Sequence, residues 1–387
     1  MMPYPTATKP HYPVLDGLRG VAALAVVTMH ICEAHSTSAL DMLMNHGYLA
    51  VDFFFLLSGF VIGYAYDDRW GKMTVGNFFK RRLVRLQPMV IIGMIIGAIA
   101  FYFQASAFWP AIANTPVWQM LLVMVIGFTM IPIPPSMDIR GWNETYPLDG
   151  PAWSLFYEYV VNIFYVLFVR RFSKTALTIL VVIAGCALIQ YAVTSDSGDL
   201  IGGWSLEPLQ LRIGFTRVMY PFFAGLLLFR IGKLAHVQHA FWWCSLLVLI
   251  VFAMPRIGGS EHRWMNGLYE SLSIVFVFPF IIYLGASGEL KGRFAKRICT
   301  FLGEISYPIY ITHYPLIYIY TAWVRDNKIP LSKSYPFALL TFLSAIGIAY
   351  ACLKLYDEPV RKWLQKKVLA GDVKQQHSKK DIPATIK

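Results

Sequence analysis

Residues 15–35, LDGLRGVAALAVVTMHICEAH, place Arg19 and His30 on one apolar segment with ten mostly small, apolar residues between them. The run is long enough to cross a bilayer, which takes roughly 20 apolar residues in a helix. Eleven positions at about 100° per residue make about three turns. The two side chains therefore fall on nearly one helix face, about 16 Å apart along the axis. Ionisable groups inside a span are costly in hydrocarbon and face a protein interior or a wet cavity, where they mark a pathway or a reaction centre. One face can thus present a guanidinium near one membrane surface and an imidazole deep in the bilayer or toward the other.

The rest of the chain reads the same way. Of 387 residues, 57% are hydrophobic and 14% charged, against about 25% charged in a typical soluble domain. The composition is that of a polytopic membrane protein. The net charge of +12 does not mark a nucleic-acid binder, because Lys and Arg sit in short clusters between apolar runs rather than along one soluble face. Such clusters set topology and meet anionic lipid heads. Cys32, Cys186, Cys244, Cys299 and Cys352 show neither CxxC nor metal-ligand spacing; they read as buried core residues, and no metal is expected. No small-residue cleavage site follows the first run, so it reads as a retained span.

Apolar runs fall near 15–33, 47–66, 88–106, 112–133, 152–170, 175–193, 217–232, 240–255, 268–286, 305–323 and 336–355. Basic clusters at Lys80–Arg85, Arg170–Lys174, Arg230–Lys233 and Lys291–Arg297, with the Lys-rich tail, assign those loops to the cytoplasm. The sides agree only if 88–133 crosses an odd number of times. The expected fold is therefore an all-α transmembrane bundle of about ten spans, with one re-entrant or broken segment around Trp109 and Pro110. Residues 1–14 read as a cytoplasmic N-terminal segment, 15–365 as the transmembrane domain and 366–387 as a disordered cytoplasmic tail. Both termini are expected in the cytoplasm, on the inner membrane.

Four more clusters carry chemistry. In GYLAVDFFFLLSGFVIGYAY (47–66), Asp52 lies within an aromatic run and needs a partner; a helix-locking ion pair and a catalytic role both fit. In FFKRRLVRLQP (78–88), Arg81, Arg82 and Arg85 converge on one helix face, as phosphate-binding forks or as an ordinary positive-inside anchor. In DGPAWSLFYEYVVNIFYVLF (149–168), Ser154 and Glu158 stand four apart beside Trp153. Glu158 is placed either to orient a histidine or to join helices. LGEISYPIYITHYPLIY (302–318) adds Glu304, Ser306, Tyr307, Tyr310 and His313, a density of polar groups beyond what packing requires, although a histidine in an aromatic helix is usually a satisfied core residue. YDEPVRKWL (356–364) reads as a structural helix boundary in which Arg361 pairs with the nearby acids.

LDGLRG with the Arg19–His30 spacing, YLAVDFFFLLSGF, RRLVRLQP, PAWSLFYE, LGEISYPIYITHYP and YDEPVR, in this order over residues 12–365, resemble the acyltransferase 3 family of membrane proteins that acylate carbohydrates. The resemblance implies about ten spans, a functional Arg19–His30 pair and use of acyl-CoA by the basic pair after the second span. Some members carry an esterase-like domain after the last span; this chain resembles the stand-alone branch.

Residues and resemblance together give an expected reaction. An acyl group, most simply acetyl, moves from cytosolic acyl-CoA to a hydroxyl of an extracytoplasmic or lipid-linked carbohydrate or glycolipid. Arg19, Arg81, Arg82 and Arg85 bind the donor, and His30 is the general base, with Glu158 or Asp52 fixing its tautomer. Ser154, Trp153, Tyr310 and His313 support the substrate. A covalent relay through Ser154 or His30 is the alternative route. The acceptor could be an exopolysaccharide, a lipopolysaccharide sugar, another lipid-linked glycan or a glycosylated metabolite; the sequence leaves it open, together with acyl length and oligomeric state. A secondary transporter would share the buried charges and broken helices but would leave its substrate unmodified. A scaffold protein would not account for the ionisable residues within spans.

Overall fold

The computed structural model of the protein describes residues 11–38, 40–71, 73–232 and 234–369. Among these the chain is helical, with no strand beyond one isolated bridge between Val237 and Gly288. Seven stretches are long and apolar enough to cross a membrane: 13–33, 47–69, 75–104, 174–194, 208–231, 264–286 and 331–368. Three shorter apolar helices, 117–128, 152–167 and 240–253, accompany them. Each of the eleven apolar runs in the sequence contains helix, and the whole is a polytopic helical bundle.

Helix α1 (Pro13–Glu33) starts on a proline, whose fixed φ suits a first turn, and its 21 residues give about 31 Å of rise, one bilayer core. It lies along α12 (Arg293–Thr312). Small residues allow this close approach: a Cβ at Gly20 would meet the Leu302 carbonyl, and one at Gly303 would meet Asp16. The same device joins α2 (Ala50–Tyr66) to α8 (Pro208–Ile231), where Gly59 abuts the Phe222 carbonyl and Gly225 the Leu56 carbonyl. In hydrocarbon, where apolar surface gives little net drive, such backbone contact is what holds helices together.

Helix α3 (Val75–Ala100) begins earlier than the apolar run at 88 suggests. The Thr74 hydroxyl caps it by accepting from the Asn77 amide at 3.2 Å, and Pro88 is carried inside the span, as neighbouring helices permit in membranes. The basic cluster is therefore part of the spanning helix rather than a loop before it, and of its side chains Arg82 is buried in the bundle. After α3 the chain breaks as expected: α4 (Pro110–Asn114) and α5 (Val117–Phe128) are separated by Thr115 and Pro116, and 12 residues reach only about 18 Å. Helix α6 (Ala152–Leu167) and α7 (Lys174–Thr194) follow, and α9 (Ala240–Ala253), α10 (Trp264–Leu272) and α11 (Phe278–Ala286) lead to α12.

A second break was not expected. Helix α12 stops at Thr312 and α13 (Tyr314–Asp326) restarts beyond His313, with Pro315 in its first turn, since proline lacks the amide that would continue the ladder. Finally α14 (Leu331–Ala351) passes through a π-helical turn, Cys352–Asp357, into α15 (Glu358–Val368). The polar C-terminal stretch thus stays helical to Val368; the remainder of the expected tail, from residue 370, and residues 1–10 lie outside the described residues. Of the cysteines only Cys244 and Cys299 are buried, while Cys186 is exposed.

Candidate active site

Two cavities enter the bundle from opposite ends of α1. The inner one, of about 550 Å³, is lined by Arg19, Arg82, Arg85, Ser154, Glu158, Ser306 and Tyr307, among others. The outer one, of about 370 Å³, is lined by His30, Glu33, Trp153, Arg217, Tyr314 and a loop carrying Trp142 and Glu144. Among the described residues only Val51 and Tyr310 line both. The Tyr310 hydroxyl lies 2.7 Å from Ser154 Oγ, and the Ser154 hydroxyl donates to the Pro151 carbonyl at 3.1 Å. A buried phenol and a buried hydroxyl therefore stand where the two cavities meet.

In the inner cavity, Arg19 donates from Nε to Ser306 Oγ at 2.7 Å and from Nη2 to the Gly303 carbonyl at 3.0 Å, with Asp16 Oδ1 3.3 Å away. Arg82 is almost fully buried and pairs with Glu158, which also accepts from the Ser58 hydroxyl at 2.7 Å. Arg85, three residues on and so on the same face, lines the cavity without a hydrogen bond or ion pair among the described residues. Arg81 is not among the cavity's lining residues; the guanidiniums brought together are Arg19, Arg82 and Arg85, with Arg361 at the edge.

In the outer cavity, His30 Nδ1 is 2.7 Å from Glu33 Oε2. With its proton on Nδ1 donated to Glu33, the ring has Nε2 free to accept. The His30 ring also packs edge-on against Tyr314 at 4.7 Å and stacks near His313 at 5.7 Å. His313 is fully buried and lines neither cavity. Its Nδ1 sits 2.8 Å from the Ile309 carbonyl and 3.0 Å from the Tyr310 carbonyl, while Nε2 has no partner among the described residues. Trp153 lies under the Arg217 guanidinium, 5.4 Å from ring to Cζ. In the loop, burial pushes the Glu144 carboxyl up to about 7, against the opposing pull of Arg140 and of the Tyr318 hydroxyl, which donates at 2.8 Å.

Two expected partnerships are corrected. Asp52 does not orient His30: it is fully buried and ion-paired to Arg217 at 2.7 Å, with Arg217 also donating to the Tyr48 and Gly202 carbonyls. A carboxylate without water needs a full positive charge beside it, and α8 supplies one where α1 does not. Glu158 does not reach His30 either, because Arg82 and Ser58 hold it in the other cavity. The acid on His30 is Glu33, one turn further along α1. Its signal was present as an i, i+3 spacing in the last turn of the first helix. Asp357 and Arg361 were assigned a purely structural role; they are paired at 2.8 Å, yet both also line the inner cavity.

A family model described as an acyltransferase domain matches residues 12–354, most of the chain. The chain belongs to the acyltransferase 3 family. It is 34% identical over 163 residues to protein 2 in the picA locus of Rhizobium radiobacter, covering 39% of this chain and 79% of that one. It is 24% identical over 376 residues to the O-acetyltransferase OatA of Staphylococcus aureus (strain NCTC 8325 / PS 47), covering 91% of this chain and 58% of OatA. The chain thus spans little more than half the length of that relative. No solved structure matches it.

Proposed function

We propose that this acyltransferase 3 protein is a membrane O-acetyltransferase that takes its acyl group from acyl-CoA in the inner cavity and passes it to a carbohydrate hydroxyl in the outer one. The observation that carries this reading is the pair of cavities meeting at Tyr310, arginine-lined on one side and holding His30–Glu33 on the other. The name of the staphylococcal relative favours acetyl as the group and oxygen as the acceptor atom.

Arginine cannot lose its proton in a protein, so Arg19, Arg82 and Arg85 suit anionic or carbonyl oxygens and not proton transfer. Arg19 stands about three turns from His30 on one helix, roughly 16 Å along its axis. That separation supports a reading in which Arg19 meets the phosphate-to-pantetheine stretch of the donor and the thioester reaches the junction. There the Ser154 and Tyr310 hydroxyls are the donors nearest a developing oxyanion. His30 Nε2 takes the proton of the acceptor hydroxyl while Glu33 holds Nδ1–H and stabilises the imidazolium. The acceptor oxygen attacks the thioester carbonyl, the carbon–sulfur bond breaks, and the CoA thiolate leaves through the inner cavity and takes a proton from water there, while the His30 imidazolium returns its proton to water in the outer cavity. Trp142, Trp153 and Trp204 in the outer cavity offer broad faces on which sugar rings stack. The basic loops at the inner end point it toward the cytosol and both termini with it, on the inner membrane.

The test is transfer of labelled acetyl from acetyl-CoA to membrane-associated glycan, with His30→Ala and Arg19→Ala compared with wild type at matched protein levels. The proposal expects acetyl-CoA-dependent labelling in wild type and loss of at least about a hundredfold in His30→Ala. Labelling that does not depend on acetyl-CoA, or uptake of an unmodified substrate, would favour transport instead.

A further inference from the structure

The inner cavity is bounded on one side by the π-helical turn after α14 and by α15, whose Leu353, Asp357, Glu358 and Arg361 line it. Arg361 lies on α15, which packs against α3, the helix carrying Arg85. Both side chains line the same cavity. Arg361 Nε lies 2.8 Å from Asp357 Oδ2 as an ion pair without the alignment of a hydrogen bond, and its two terminal nitrogens make no hydrogen bond to the protein among the described residues. Asp357 is buried, so the acid that faces this guanidinium is itself held within the fold. The π-helical turn Cys352–Asp357 displaces the register of α15 relative to α14, and such turns inside helices commonly mark functional positions. By contrast Lys362, the next residue, is exposed and lines neither of the two cavities.

We propose that Arg361 is a donor-binding residue that forms, with Arg85, a two-guanidinium clamp on the phosphates of the acyl donor. The proposal rests on acyl-CoA being the donor. Two forks with free terminal nitrogens on neighbouring helices match the bidentate acceptors of a phosphate group, whereas Arg19 and Arg82 are engaged by Ser306, Gly303 and Glu158 deeper in the same cavity. Asp357 is a positioning residue for Arg361 and does not touch the donor.

The test compares acetyl-CoA with S-acetylpantetheine, which keeps the thioester and lacks every phosphate, in the full-length protein in membranes. Arg361→Gln should raise KM for acetyl-CoA about tenfold with kcat unchanged and leave S-acetylpantetheine kinetics as in wild type. Arg361→Lys, which keeps the charge but not the fork, should fall between, Lys362→Gln should change neither donor, and Arg85→Gln should repeat the split. Inhibition by adenosine 3′,5′-bisphosphate reads the same contact without the thioester, and its inhibition constant should rise in Arg361→Gln by the same factor as KM. If Arg361→Gln does not fold, Arg361→Lys and Arg85→Gln decide the matter through this inhibition constant. Equal losses with both donors, or an unchanged inhibition constant, would overturn the clamp while leaving the acyltransferase reading in place. A wild type that shows no dependence on acetyl-CoA would overturn the donor reading itself.

Discussion

The two cavities use arginine differently. In the outer one, Arg217 and Arg256 each face a buried acid, Asp52 at 2.7 Å and Asp199 at 2.6 Å, and further bonds to the Tyr48 and Gly202 carbonyls and to Asn45 hold them in place. These guanidiniums join helices and loops, and the reactive group is the His30–Glu33 pair among aromatic walls. In the inner one, Glu158 fixes Arg82, Asp16 lies 3.3 Å from Arg19 and Asp357 lies 2.8 Å from Arg361, while Arg85 makes no hydrogen bond or ion pair and Arg361 keeps both terminal nitrogens without a hydrogen bond among the described residues. The lesson is that cavity-lining charge marks a ligand site only where the protein leaves hydrogen-bonding capacity unspent.

The largest effect that sharpens this contrast concerns Glu158. Were it the orienting acid of His30, Glu158→Gln would slow proton transfer and leave the fold alone. Its place on Arg82 instead predicts that the substitution strands a buried charge and destabilises the protein by about 3–5 kcal/mol. Thermal unfolding in detergent checks this, and Arg82→Gln/Glu158→Gln together should recover part of the loss.

The next effect is set by pH at the loop that lines the His30 cavity. The Glu144 carboxyl, raised from its ordinary 4.5 to about 7 by burial, binds its proton more tightly folded than unfolded. Its stabilising contribution is therefore full below about 4.5 and is lost as pH rises through about 7, on the order of 3 kcal/mol in all. Glu144→Gln, neutral throughout, should unfold at nearly the wild-type temperature at pH 4.5 and above it at pH 8. A gap that does not grow with pH would contradict this origin.

The smallest effect isolates Glu33. Glu33→Gln should lower kcat for acetyl transfer about tenfold, leave KM for acetyl-CoA unchanged, and preserve thermal stability, because the residue is half exposed at 52% of its side-chain area and acts only through the tautomer of His30. A change in KM for the donor would join the two cavities where the structure separates them.

Much of this arrangement was legible in the sequence. The Arg19–His30 spacing along one helix and the broken stretch near Trp109 rest on local periodicity or on proline, which act over a few residues. What escaped is long-range pairing. Asp52 and Arg217 are 165 positions apart, and Arg82 and Glu158 are 76 apart; composition says that a buried acid needs a cation but not which helix brings it. Glu33 escaped for the opposite reason: at the membrane boundary an acid looks like an ordinary helix end, and only the direction of the His30 ring shows its use. The break at His313 was hidden because Tyr314 and Pro315 sit inside an otherwise continuous apolar and aromatic run.

The most direct test of two cavities with separate tasks is CoA binding measured beside acetyl transfer in the purified protein for His30→Ala and Arg85→Gln. The account predicts that His30→Ala binds CoA as tightly as wild type and transfers nothing, while Arg85→Gln binds CoA about tenfold more weakly and still transfers at saturating donor. Equal weakening of CoA binding in both variants, or undiminished transfer in His30→Ala, would contradict it.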